Sequence, residues 1–296
     1  MNVLFSTKFL FLIGLGFVWS LRVASVKHAV ENGVPPQVII EFAMFGIAAV
    51  MLGILFLSKQ KLPLTKQAIA FYFIGGSLGM ALPFFVEAVV SPHLTVFVLI
   101  VIVMTMPIMT MTLLSLTGVE KLQGVQILAI LIGFAAAMMI IFDGNNLIEL
   151  SQGNLFWVLV AFGVPLLYAI NTTYVAGKWP SYINPLQVAA GQALFISIAV
   201  LLASPFSGLW QDIGQISQQP LSFLGVLVAE CTGLFFYFAL IRSQGAAYMI
   251  MANYVAIAFG VFWGAFLFNE TIGIISIIAA PVLGLGIYLA QTKREN

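Results

Sequence analysis

Glu230 stands ten residues into an apolar run covering 220–241, about 15 Å below its start at the usual helical rise of roughly 1.5 Å per residue. Asn253 in the run 245–268 and Gln192 in the run 184–204 each lie eight residues in, about 12 Å deep by the same rise. Three polar side chains therefore converge on one level of an apolar interior. A carboxylate there could bind an amine or take up a proton, and the amides could hydrogen-bond a polar solute. The competing reading is packing: a protonated carboxyl and two amides bonded across helices. A second set sits nearer one surface. Arg22 is five residues from the end of the run 8–27, and Glu41 five residues from the start of the run 36–57. Both are about 7 Å deep by the helical rise and able to pair. Glu87 and His93 mark the same boundary and form a vestibule carrying both signs of charge, or an interfacial belt.

The elements that must carry these residues follow from composition. Hydrophobic residues make up 62% of the 296 and charged residues 7%. A water-facing surface needs about a quarter charged, so the chain reads as a membrane protein. Eleven Lys and Arg against ten Asp and Glu give a net charge of +1, which leaves no basic footprint for nucleic acid. One cysteine, Cys231, and two histidines supply neither an internal disulfide nor a thiolate or imidazole metal cage. Ten apolar runs are found, at 8–27, 36–57, 68–88, 93–115, 121–142, 153–174, 184–204, 220–241, 245–268 and 271–291. Their length and the absence of period-two alternation predict an all-α polytopic protein of ten transmembrane helices. Lys8, Lys59, Lys61, Lys66, Lys121, Lys178, Arg242, Lys293 and Arg294 all fall on the side of the termini, while Lys27 faces Asp143, Glu149, Asp212 and Glu270 on the other. Both termini are therefore expected in the cytoplasm of a multi-pass inner (plasma) membrane protein. The first run is read as an uncleaved helix rather than a signal peptide.

An offset of 150 residues aligns the chain with itself. Pro35-Pro36-Gln37-Val38 matches Pro185-Leu186-Gln187-Val188, and Glu120 matches Glu270. The halves, 1–146 and 147–296, each hold five runs, and an odd number makes the second half enter the membrane from the opposite face. Such inverted repeats can exchange conformations between inward-open and outward-open states. Glu120 and Glu270 open the next helix, where a carboxylate accepts free amide hydrogens, and are read as structural. Pro83, Pro107, Pro165 and Pro281 fall inside runs and are expected to bend or break them. Gly260 and Gly264 give a small-residue face suited to tight packing.

Gly16-Phe17-Val18-Trp19-Ser20 with Val26-Lys27, Ala239-Leu240-Ile241-Arg242 followed by Gly245-Ala246, Phe268-Asn269-Glu270-Thr271 and Gly284-Leu285-Gly286 resemble motifs of the ten-helix EamA-type members of the drug/metabolite transporter superfamily. The resemblance covers the whole length. It implies a central cavity lined by helices one to four and six to nine, which adds Trp19, Tyr248 and Trp263 as aromatic candidates for contact with an organic cation. Two departures stand out: Val255-Ala256-Ile257 replaces a proline in helix nine, and Glu41 stands near the place of an arginine in helix two.

The candidate substrate-binding set is therefore Trp19, Arg22, Glu41, Gln192, Glu230, Tyr248, Asn253 and Trp263. The expected function is secondary active transport by alternating access, moving a small organic metabolite, an amino acid or a related amine or zwitterion, with export favoured. Quaternary amines or nucleosides as cargo, and a receptor or intramembrane enzyme from other classes, are the alternatives. No GxxxxGK[ST] loop, HExxH or GxSxG occurs, so neither ATP use nor enzyme chemistry is expected. The expected partners are the solute, membrane lipid and a candidate coupling proton. No cofactor is called for, and the chain is expected as a monomer or weak dimer.

Overall fold

In hydrocarbon each backbone N–H and C=O must be satisfied within its own segment, which leaves helices as the economical solution for long apolar runs. The computed structural model describes residues 7–90, 93–94, 99, 102–142, 155–207, 213–269 and 273–291, and every regular element among them is helical. The elements are α1 (Thr7–Glu31), α2 (Pro36–Leu57), α3 (Lys66–Gly76), a π-helical turn (Ser77–Ala81), α4 (Leu82–Val90), α5 (Met106–Thr117), α6 (Gly124–Phe142), α7 (Leu155–Ala161) and α8 (Gly163–Lys178). They continue with α9 (Pro185–Ser207), a 3-10 turn (Ile213–Gln218), α10 (Pro220–Gln244), α11 (Ala246–Met249), α12 (Ala252–Phe268) and α13 (Ile274–Gln291). By length and composition six segments can cross a membrane: Thr7–Glu31, Lys66–Glu87, Leu155–Lys178, Pro185–Leu202, Pro220–Gln244 and Ala246–Phe268. Shorter apolar helices lie in the other four runs.

Several helices run about a turn beyond the apolar stretch that announces them. α1 ends at Glu31 rather than near 27, and α10 at Gln244 rather than near 241. Hydrogen bonding continues into polar flanks that hydropathy does not register. This lengthening shifts the depth of the residues inside.

Three of the four prolines act where their geometry demands. A proline ring crowds the carbonyl four residues earlier. For Pro165 that is Ala161, where α7 ends; for Pro107 it is Val103, followed by the turn at Met104 and Thr105; for Pro83 it is Gly79, the middle of the π turn. Pro281, in contrast, is accommodated inside an unbroken α13.

Packing repeats along the chain. α1 lies along α10 and α12, as α8 lies along α4 and α5; α9 against α3 matches α2 against α10. The pairs α2 with α9 and α6 with α13 are their own counterparts under the 150-residue offset. The close approach of α1 to α12 depends on Gly16, where a Cβ would overlap the Val255 side chain and crowd the Ala256 backbone. In the small-residue face of α12, Gly264 is buried but a Cβ at Gly260 would meet no other part of the protein within 4 Å, so only part of that face is a packing seam.

α10 and α11 are separated by one residue, Gly245, at φ +83°, a left-sided conformation that a side chain would strain. The free amides that follow are met by Glu120: the Ala246 N–H donates to Oε1 at 2.5 Å and the Ala247 N–H to Oε2 at 3.1 Å. Glu120 thus serves a helix N-terminus as expected, but one of the other half rather than the helix next in sequence. Glu270 lies outside the described residues. Since capping carboxylates contribute about 1 kcal/mol or more, Glu120→Ala should lower the thermal midpoint of the detergent-solubilised protein, with Glu120→Gln intermediate. An unchanged midpoint in both variants would contradict the cap.

Candidate functional site

The same lengthening of the helices decides the centre of the molecule. From the Glu31 end of α1, Arg22 is nine residues down, and from the Pro220 start of α10, Glu230 is ten residues down. At the helical rise these are about 14 and 15 Å, a single level. Arg22 Nε donates to Glu230 Oε1 at 2.6 Å, with 23% and 12% of the two side chains exposed. The pair expected from apparent depth, Arg22 with Glu41, gives way to this one because α1 lies along the length of α10 and touches α2 only briefly. Glu41 is half-buried, five residues into α2.

Two further groups complete this level. The guanidinium of Arg22 lies 4.9 Å from the centre of the Phe84 ring. Glu87, on α4, lies beside Tyr168 of α8 and within electrostatic reach of Arg22 and Glu230. Sequence depth puts Glu87 at the helix end. The helix continues to Val90, drawing Glu87 inward. Glu87 and Glu230 together face Arg22, so with both ionised this trio carries one excess negative charge.

A second polar level lies about 10 Å away along α10, seven residues from Glu230 to Tyr237. Thr172 and Tyr237 share a hydrogen bond at 3.0 Å, and Asn171 Nδ2 donates to the Tyr237 hydroxyl at 3.4 Å. Gln192 is here too, 1% exposed. The amides of Gln192 and Asn171 fill the spaces left by Gly75 and Gly79, where a Cβ would collide with each. Between the two levels stands Trp19, one turn from Arg22 and 6.3 Å from Tyr237, ring centre to ring centre.

The remaining candidates lie elsewhere. Asn253 Nδ2 donates to the Ile250 carbonyl at 3.0 Å, bridging the break between α11 and α12. Tyr248 is buried in the apolar core on α11. Trp263 packs against Phe17, Phe262 and Phe266. His93 stacks on Trp157 with ring centres 3.8 Å apart, and His28 Nδ1 is 2.9 Å from the Ser222 hydroxyl. Among the described residues no group of three His, Cys, Asp or Glu could hold a metal ion.

Sequence reasoning missed Phe84, Tyr168, Asn171, Thr172 and Tyr237. Asn171-Thr172-Thr173 carried a usable signal, three hydrogen-bonding residues in a row inside an apolar run.

Helices packed in two matching sets around an ion pair define a membrane protein with a polar interior. An EamA-like transporter family model matches residues 6–142 and again residues 155–292, so the chain belongs to the EamA-like transporter family, whose members move small molecules across membranes. No curated protein matches the sequence. A solved structure, titled only "Crystal structure of protein", is 14% identical with a TM-score of 0.73 over 95% of this chain and 96% of that one, a likeness of fold alone.

Removing one member of a buried ion pair strands the other charge, at about 3 kcal/mol where, as here, some exposure remains. Arg22→Gln or Glu230→Gln should each lower thermal stability by about that amount. The double variant should lose less than the sum. Additive losses in a thermal-unfolding cycle would show that the two side chains are not coupled.

Proposed function

We propose that the chain is a secondary active transporter working by alternating access on a small organic metabolite bearing an amine, most simply an amino acid or related zwitterion, with export favoured over uptake. The observation that carries this reading is the ion pair at mid-depth, with one partner from each half of the chain: Arg22 from the first and Glu230 from the second. An ammonium group can compete with Arg22 for Glu230, and a carboxylate can compete with Glu230 for Arg22. A zwitterion replaces both halves of the pair at once, so neither charge is left buried and unpaired. The excess carboxylate supplied by Glu87 favours a cationic group or a proton over an anion.

The architecture proposed for this cycle is ten membrane-spanning helices in two inverted five-helix repeats, divided near residue 146, with both termini in the cytoplasm and the chain in the plasma membrane. The repeated packing and the placement of the basic residues support it. On the basic side the halves are laced together by side chains: Asn184 Nδ2 donates to Gln60 Oε1 at 2.7 Å, Gln187 Nε2 to the Lys61 carbonyl at 2.8 Å, and the Thr65 and Tyr182 hydroxyls lie 2.6 Å apart. Exposed bonds of this kind are individually weak and can break and reform during a cycle. No nucleotide-binding segment is present in the sequence, so a solute or ion gradient, with the proton the candidate ion, supplies the driving force.

Proteoliposomes holding purified protein should show counterflow: labelled amino acid or amine enters faster when unlabelled solute is loaded inside. Glu230→Gln should reduce the exchange at least ten-fold while the folded yield is retained. Exchange at the wild-type rate in that variant would remove the central pair from the transport site.

A further inference from the structure

Beneath the ion pair, three polar atoms are buried without a hydrogen-bond partner: the Tyr72 hydroxyl, Gln192 Nε2 and Asn171 Oδ1. Their residues are 0%, 1% and 5% exposed. They also converge. Tyr72, Gly75 and Gly79 follow one another down one face of α3 and its π turn. Gln192 lies against Gly75, Asn171 against Gly79, and the Tyr72 ring against Gly191, beside Gln192. Leucine or methionine would fill such places without leaving any polar atom unsatisfied, and in a membrane interior an unpaired amide is costly. The arrangement makes sense if another species completes it in part of the cycle.

We infer that this layer is a second subsite that receives a neutral group able both to donate and to accept a hydrogen bond, a carboxamide or a hydroxyl, at the end of the solute opposite its amine. The inference rests on the transport reading above and names the chemistry of the solute's other end. Gln192 Nε2 donates and Asn171 Oδ1 accepts, the complement of the oxygen and NH2 of a carboxamide, and the Tyr72 hydroxyl does either. Exchanging N and O within either amide still leaves a polar atom to be met. Tyr237 and Thr172, already bonded to each other and to Asn171, hold the Asn171 amide in place. Trp19 lies between the two levels and favours a short methylene linker over a charge. Gly75 and Gly79 leave no room for a Cβ. The π turn between α3 and α4 is an element that can shift register and open the layer.

The test is competition against counterflow in proteoliposomes, with purified full-length protein and a panel of asparagine, glutamine, serine, leucine and methionine. Carboxamide or hydroxyl amino acids should compete at least ten-fold better than leucine and methionine. Gln192→Met and Asn171→Leu should collapse that ratio toward one, with Tyr72→Phe as the milder variant that preserves packing. Discrimination is a ratio within one preparation, so a lower folded yield leaves it readable. Equal or better competition by leucine and methionine in the wild type, or an unchanged ratio in all three variants, overturns the subsite while leaving the transport reading intact. Failure of every amino acid to compete overturns both.

Discussion

A guanidinium and a carboxylate inside an apolar bundle cannot be left apart. Insertion of an unpaired charge at mid-membrane costs about 2.5 to 3.5 kcal/mol on biological scales. Arg22 and Glu230 therefore hold α1 to α10 at a fixed register, and since those helices come from different halves of the chain, their bond is also a bond between halves. The rest of the interior is arranged about it: Phe84 lies within 4.9 Å of the guanidinium, Glu87 and Tyr168 lie together nearby, and Trp19 separates this level from the amides below. In the proposed transport cycle a suitable solute replaces this pair, and the same contact then serves as lock and as recognition site.

Several helices are interrupted around this arrangement. Breaks precede Pro107 and Pro165, in the turns that each forces upstream, and the π turn ahead of Pro83 sits beside the amide layer. Between α11 and α12 no proline is present, and the break is instead bridged by the Asn253 side chain, while the Glu120 carboxylate caps α11 at the separate break after Gly245. Interruptions of regular hydrogen bonding deep in a membrane are tolerated where protein covers them.

Class, helical runs and the repeat were legible in the sequence because each is a property of many residues at once. The partner of Arg22 was not. The ends of the apolar runs misplace depth: α1 continues to Glu31, and that one extra turn is the difference between Glu41 and Glu230 as the partner of Arg22. The same displacement sets Glu87 at the rim by hydropathy and further inside by helix length. Glu120 was recognised as a capping residue from its type and position, but its target lies 126 residues away and depends on how the halves pack. Gln192 and Glu230 are legible as polar groups inside apolar runs; that they occupy two levels rather than one follows from the lateral packing of α9, α3 and α10, which no spacing records.

A centre that exchanges between the two faces must be reachable from each in turn. The most direct measurement places a single thiol at that centre, Trp19→Cys with Cys231→Ser, and applies a membrane-impermeant thiol reagent to right-side-out and inside-out vesicles. The account predicts labelling from both sides, slowed by the transported solute. Labelling from one side alone, or from neither, would contradict it.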